Sequence, residues 1–123
     1  MATSNATPAG AQSPQQELED AYSSLLNSLN EAYWAAGDLN AKDKIYGQSE
    51  AVSNLLTQLD AADLEVRDGN YAAISAQVTA VNKGLQSLQN QISTIINRIN
   101  TASTVAGDVA KVLTAAGNVF PAI

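Results

Sequence analysis

Apolar residues recur at alternating steps of three and four from residue 18 onward, a spacing that predicts amphipathic α-helices. The first stripe ends just before Gly37, which we expect to close the first helix in the left-handed conformation. Asp38 or Asn40 then caps the second helix. The first stripe consists of Leu18, Tyr22, Leu25, Leu29, Ala32 and Ala36.

The second predicted helix ends at Asp68-Gly69-Asn70. Gly69 suits the C-terminal cap of this helix, and Asn70 suits the N-terminal cap of the next. A connection this tight predicts that the second and third helices run antiparallel. The apolar positions of the second helix are Ile45, Val52, Leu55, Leu56, Leu59, Ala62 and Val66.

The third stripe keeps steps of four and three from Ile74 to Phe120 without a slip, which is the period of a coiled-coil seam. One helix from about residue 71 to 118 would be roughly 70 Å long. The sequence therefore predicts an all-α antiparallel bundle of three helices with a long, heptad-patterned third helix. The seam consists of Ile74, Val78, Val81, Leu85, Leu88, Ile92, Ile95, Ile99, Ala102, Ala106, Val109, Leu113, Ala116 and Phe120.

The alternative is a four-helix bundle with a short fourth helix near residues 103–118. Thr101, Ser103 or Thr104 would cap that helix, and Gly107 weakens a continuous helix by about 1 kcal/mol relative to Ala. The unbroken phase and the lack of proline in this stretch favour continuity. Both architectures are all-α.

The 123 residues suit a single domain. Residues 1–16, rich in small and polar residues, are expected to be a disordered tail, which leaves 17–123 as the helical-bundle domain. The start lacks the basic and apolar regions of a cleaved signal peptide, and no apolar run is long enough for a transmembrane helix. We expect a cytoplasmic protein or one exported by a non-classical route.

Charge is distributed unevenly around a net value of −6. Residues 1–68 carry eleven acidic and three basic residues, whereas residues 69–123 carry one and three. The two halves therefore attract each other. With six scattered bases the chain is not expected to bind nucleic acid.

Catalytic chemistry has no recognisable motif in this sequence. The chain contains no His and no Cys, which removes the commonest general base, the thiolate nucleophile and structural zinc sites. The acidic segment DLEVRDG fails the calcium-loop pattern, because Arg67 occupies a ligand position and Gly69 comes one place late. We expect that the protein is not an enzyme and that it binds no metal, cofactor or small-molecule substrate.

The seam changes character after residue 100, where Ala102 and Ala106 replace larger residues and a second apolar row widens the face. A wide apolar face suits a partner helix, a second copy of the chain or a membrane surface. The sequence predicts a non-enzymatic interaction or assembly protein that self-associates or docks a partner helix through this face, and the alternative is a membrane-active helical protein. The interface candidates are Val105, Val109, Val112, Leu113 and Phe120.

Trp34, in YWAAG at the end of the first helix, resembles the Trp-x-Gly turn of small secreted helical-hairpin proteins, although the spacing here is Trp-x-x-Gly. The long helix with uncharged polar flanks is similar in composition to helices of exported filament and translocator subunits. Neither resemblance rests on a matching motif, so no residue role is carried over. From the residues alone, we expect Tyr33 and Trp34 to plug the end of the bundle, with one of them partly exposed.

Overall fold

A computed structural model describes residues 13–62, 69–96 and 98–120, which form four α-helices. Each helix packs against its two neighbours in the order α1, α2, α3, α4 and back to α1, while the helices on each diagonal lie farther apart. Consecutive helices are antiparallel, so the architecture is an up-down-up-down four-helix bundle. The helices are α1 (Pro14–Ala35), α2 (Leu39–Ala61), α3 (Gly69–Ile95) and α4 (Ile99–Val119).

The predicted continuous third helix is wrong, and the alternative of a four-helix bundle is confirmed. Helix α3 ends at Ile95, and α4 begins four residues later at Ile99, earlier than the predicted start near residue 103. Its N-cap is Arg98, without a capping hydrogen bond from the side chain. The three hydroxyl residues predicted to cap this helix, Thr101, Ser103 and Thr104, lie inside it.

The heptad phase misled this prediction because α4 buries only some of the seam positions, so the apolar spacing continues although the chain reverses. Ile99, a seam position, is 79% exposed. The seam positions Ala106 and Leu113 are only half-buried, and the residues before them, Val105 and Val112, are fully buried instead. Val109 keeps its predicted seam position and is fully buried. The return of α4 onto α1 buries this valine row, which a helix extending beyond its neighbours would leave in water.

The core is aliphatic apart from two aromatic side chains, Tyr22 and Phe120. Every member of the first predicted stripe from Leu18 to Ala32 is buried, and Ala36 is half-buried. The larger side chains that are almost completely excluded from solvent are Leu18, Tyr22, Leu25, Leu29, Ile45, Val52, Leu55, Leu59, Val78, Leu85, Val105, Val109, Val112 and Phe120.

One buried hydrogen bond crosses the core between the diagonal helices α1 and α3. The Tyr22 hydroxyl donates to Asn82 Oδ1 over 2.7 Å, and both residues are buried. Burial raises the pKa of the Tyr22 hydroxyl well above its ordinary value of 10, although the bond to Asn82 lowers it in part. Since an unpaired buried amide is costly, this bond fixes the register of α1 against α3.

Helix caps agree with the sequence at one predicted position and differ at others. The Asp38 carboxylate accepts from Ala41 N over 2.8 Å and caps α2, as predicted. Helix α1 ends at Ala35, with Ala36 as an extended C-cap, so Gly37 is not the terminating residue.

The predicted boundary between the second and third helices is also wrong. Helix α2 ends at Ala61, so Gly69 does not cap it and is instead the first residue of α3. Asn70, the predicted N-cap, lies in the first turn of α3. Val66 and Asp68, which the same prediction used, lie outside the described residues.

The predicted tail at 1–16 overlaps the folded part of the chain. Residues 1–12 lie outside the described residues, but Ser13 caps α1 by accepting from Gln16 N over 3.1 Å. The Gln15 amide donates to the carbonyls of Leu59 and Ala62 at 2.9 and 3.0 Å. The start of α1 therefore satisfies carbonyl groups at the end of α2.

Helix α4 is attached to its neighbours along its length. Near its end, the Tyr71 hydroxyl donates to the Val119 carbonyl over 3.3 Å, and the Tyr71 and Phe120 rings lie 5.1 Å apart. Nearer its start, Gln89 Nε2 donates to the Ala106 carbonyl over 2.9 Å. These contacts make α4 an integral part of the bundle.

Replacing Val109 and Val112 together with serine should unfold the domain. Both side chains are completely buried, and losing each apolar contact costs about 1–3 kcal/mol before the added cost of an unpaired hydroxyl. We expect thermal melting followed by circular dichroism to show a large loss of melting temperature. The matched control replaces Ala110 and Lys111, which are exposed on the same helix, and should melt near the wild-type temperature. Equal melting of both variants would show that the valine row is not core.

Candidate functional site

The predicted C-terminal interface lies in the core of the closed bundle. Val105, Val109 and Val112 are fully buried, and Phe120 is 1% exposed. Leu113 is half-buried and packs against the same core. These five side chains therefore do not form a free docking face, because α4 turns them inward within its own chain.

Three of the four exposed large apolar side chains of the described residues lie at the end of the bundle where α4 begins. Trp34 and Leu39 are each 72% exposed, and Ile99 is 79% exposed. Trp34 is near the end of α1, whereas Leu39 and Ile99 are the first residues of α2 and α4. We call these three residues the turn-end surface, and the extremity that carries them the turn end.

The two connections at the turn end are joined directly to each other. Ala36 and Ile96 form an isolated antiparallel β-bridge, and Gly37 N donates to the Ile95 carbonyl over 3.4 Å. This pairing holds the α1–α2 connection beside the α3–α4 connection. Backbone hydrogen bonds between the two connections therefore hold the turn-end surface in place.

An aromatic groove of about 440 Å³ lies between α1 and α2 beside the turn end. Tyr33 and Trp34 meet edge to face with their ring centroids 5.1 Å apart. Tyr46, which is 56% exposed, lies further along α2 on the same groove. The lining residues are Leu26, Asn30, Tyr33, Trp34, Tyr46 and Ser49.

The Lys42 side chain contacts both rings of this aromatic pair. Its ammonium group lies 4.6 Å from the Tyr33 ring centroid and 5.2 Å from that of Trp34, within the range of cation–π attraction. The same group donates to the Tyr33 carbonyl over 3.2 Å. The indole is thereby held in place although most of it is in contact with solvent.

Charges near the turn end balance each other. Residues 28–46 and 89–106 carry three bases and three acids, so this region is neutral. The other described residues carry six acids and two bases, a net charge of −4. The charged residues near the turn end are Glu31, Asp38, Lys42, Asp43, Lys44 and Arg98.

Acidic side chains lie close together at the far end of the bundle, the end opposite the turn end. Burial raises the pKa of the Glu19 carboxyl above its ordinary value of 4.5, and the neighbouring Asp60 carboxylate raises it further. A hydrogen bond from Gln15 lowers the same pKa in part. The ionised form of Glu19 is thus disfavoured in the folded protein, so ionisation of this carboxyl lowers the free energy of unfolding.

Sequence reasoning found one member of the turn-end surface and missed two. Tyr33 and Trp34 were expected at the end of the bundle with one of them partly exposed, and the structure has Trp34 exposed and Tyr33 half-buried. Leu39 was not singled out, and Ile99 was assigned to the buried seam. The signal available for Leu39 was its position directly after the capping residue Asp38, outside the stripe of α2.

No protein-family model, curated protein or solved structure matches the chain significantly. Within the described residues, none of the helices carries an apolar stretch long enough to cross a membrane.

Glu19→Gln should stabilise the protein at neutral pH. Because the folded protein binds this proton more tightly than the unfolded chain, the free energy of unfolding falls as pH rises from about 4.5 through the raised pKa. We therefore expect the variant to melt above wild type at about pH 7, with the difference shrinking below about pH 4. Glu31→Gln, an exposed site on the same helix, is the control and should shift melting less. A Glu19→Gln variant that melts at or below the wild-type temperature at neutral pH contradicts this account.

Proposed function

We propose that this protein is a non-enzymatic docking module that binds its partner through the turn-end surface. The observation that carries the proposal is the concentration of exposed large apolar side chains at one end of a bundle whose core is otherwise closed. Trp34, Leu39 and Ile99 stabilise little of the fold while they remain in water, so their apolar surface is available for a partner.

The docking surface proposed here differs from the C-terminal face that the sequence suggested. Self-association through Val105, Val109 and Val112 would require α4 to separate from the bundle. That separation would also expose the α1 side of the core and break the bonds at Gln89 and Tyr71. An interaction through the turn end requires none of these losses.

The free energies of apolar burial and of association suit a weak or reversible complex. Burying an exposed Trp, Leu or Ile side chain contributes roughly 1.5–3 kcal/mol, so three of them supply about 5–9 kcal/mol. Association itself costs about 4–15 kcal/mol in lost freedom of motion. The three apolar anchors therefore need help from polar contacts or from several copies to reach micromolar affinity, which corresponds to about 8 kcal/mol.

The chemistry of the same region supports the proposal of a non-enzymatic role. Three of its six charged side chains are engaged in the fold: Asp38 caps α2, Lys42 contacts the aromatic pair, and Lys44 Nζ donates to Gln91 Oε1 over 3.2 Å. The chain also contains no His or Cys that would supply a general base or a thiolate at this end. These features suit the turn end to binding rather than to catalysis.

Site-specific photo-crosslinking tests this proposal in cells that produce the protein. A benzophenone amino acid in place of Leu39 should form adducts that disappear when Trp34→Ser is introduced, because both residues belong to the docking surface. The same probe in place of Asn54, exposed on α2 toward the far end, is the matched control and should form few adducts. Absence of adducts at position 39, or equal yields at both positions, would contradict a docking role for the turn end.

A further inference from the structure

We infer that α4 exchanges between two copies of this chain, so that the protein forms a domain-swapped dimer at high concentration. In this dimer α3 and α4 join into one continuous helix. Each four-helix unit then contains α1, α2 and α3 of one copy and α4 of the other. Exchange of an identical element between copies is a low-cost route to a dimer. The inference concerns the α3–α4 connection and does not depend on the docking function.

The α3–α4 connection lacks the residues that usually specify a reversal of the chain. Residues 95–99, IINRI, include no glycine and no proline, which are the common helix breakers. Arg98 is the N-cap of α4, but its side chain makes no capping hydrogen bond. The α1–α2 connection, by contrast, contains Gly37 and the capping carboxylate of Asp38. The sequence of the α3–α4 connection is therefore compatible with a continuous helix.

Helical hydrogen bonds reach this connection from both sides. Ile96 N donates to the Ile92 carbonyl over 3.0 Å. On the other side, Ala102 N donates to the Arg98 carbonyl over 2.9 Å. Joining the two helices therefore changes the backbone of few residues. It also pairs N–H groups at the start of α4 with carbonyl groups at the end of α3, which have no intrahelical partner while the helices are separate.

The apolar spacing of the chain already fits the joined helix. Steps of three and four run from Ile74 to Phe120 without a slip, which is the period of a helix that packs along its whole length. In the closed bundle this seam is interrupted at Ile99, which is 79% exposed. The joined helix uses the spacing that the closed chain leaves unused at this position.

The register of α3 against α4 shows which residues meet at the centre of the dimer. In the closed bundle Gln89 Nε2 donates to the Ala106 carbonyl. Because the helices are antiparallel, each step forward along α3 matches one step back along α4. Seven residues after Gln89 is Ile96, and seven residues before Ala106 is Ile99. In the dimer, Ile96 of one copy therefore lies opposite Ile99 of the other, which gives Ile99 an apolar neighbour.

The exchange preserves the packing of α4. Its valine row contacts α1 of the second copy instead of α1 of its own chain, and the Gln89–Ala106 bond forms between copies. The separation of α4 is therefore transient, although the Ala36–Ile96 bridge of the closed bundle is lost. Within one chain α4 competes for its site at an effective concentration of the order of millimolar. The closed monomer thus predominates in dilute solution, and the dimer accumulates as the protein concentration approaches that value.

The test begins with size-exclusion chromatography and light scattering of the full chain after incubation at about 1 mM near its melting temperature, followed by cooling. A species of twice the 12.8 kDa chain mass should accumulate with protein concentration. It should persist after dilution in the cold, because return to the monomer requires α4 to separate again. Failure to form a dimer at any concentration would overturn the inference.

Crosslinking distinguishes exchange from side-by-side association of closed bundles. The variant Gln89→Cys/Ala106→Cys introduces the only two cysteines, at positions that face each other on α3 and α4. A short bis-maleimide should join them within one chain in the isolated monomer and between two chains in the isolated dimer. Denaturing gels then show covalent dimers only in the second case. Crosslinks that stay within one chain in the dimer would overturn the inference.

Ile99→Pro blocks the joined helix but suits the closed bundle. Ile99 is the first residue of α4, where proline is favoured. Arg98 before it has φ −95° and ψ 113°, the extended conformation that a residue preceding proline adopts. Proline in the interior of a continuous helix breaks it. We expect this variant to dimerise at least about 100-fold more weakly than wild type, while its monomer melts near the wild-type temperature.

Ile99→Ala is the matched control, because it removes the same exposed side chain and keeps a good helix former at the position. Domain swapping predicts that this variant loses much less dimer than Ile99→Pro. Equal losses in the two variants would show that the dimer depends on the exposed side chain rather than on a continuous helix, and the inference would be wrong.

Discussion

The antiparallel return of α4 onto α1 is the packing on which the rest of the structure depends. It covers the apolar side of α1 with the row Val105, Val109 and Val112, all completely buried. Polar contacts run beside this interface, where the Ser28 hydroxyl donates to the Asp108 carboxylate. Without α4, the apolar side chains of α1 that face it would be exposed to water, at a cost of about 25 cal/mol for each Å² uncovered.

Closure of the bundle also determines which surface is left for interaction. The reversal between α3 and α4 brings their connection beside the α1–α2 connection, and the Ala36–Ile96 bridge joins them. The same reversal that hides the C-terminal valines makes Ile99 the exposed first residue of a helix. The same change of chain direction thus buries the C-terminal valines and exposes Ile99. The proposed docking function rests on that exposure.

Local patterns predicted the helices better than they predicted the reversal between α3 and α4. The stripe from Leu18 to Ala32 is fully buried, because a helix with one apolar face has few ways to pack. The reversal was hidden because its apolar residues continue the heptad spacing, and the interruption of the seam becomes evident only from the exposure of Ile99. The bridge that assembles the turn end joins residues sixty positions apart, and no local spacing encodes such a pairing.

A distance measurement across the α3–α4 reversal tests the account most directly. The chain has no cysteine, so spin labels on Ala76→Cys and Thr114→Cys, both exposed sites, would report one distance by pulsed electron resonance. The closed bundle predicts a distance below about 25 Å, because adjacent helices lie about 8–10 Å apart. A distribution centred at about 57 Å, the length of 38 residues of continuous helix, would contradict the closed bundle and the turn-end surface together.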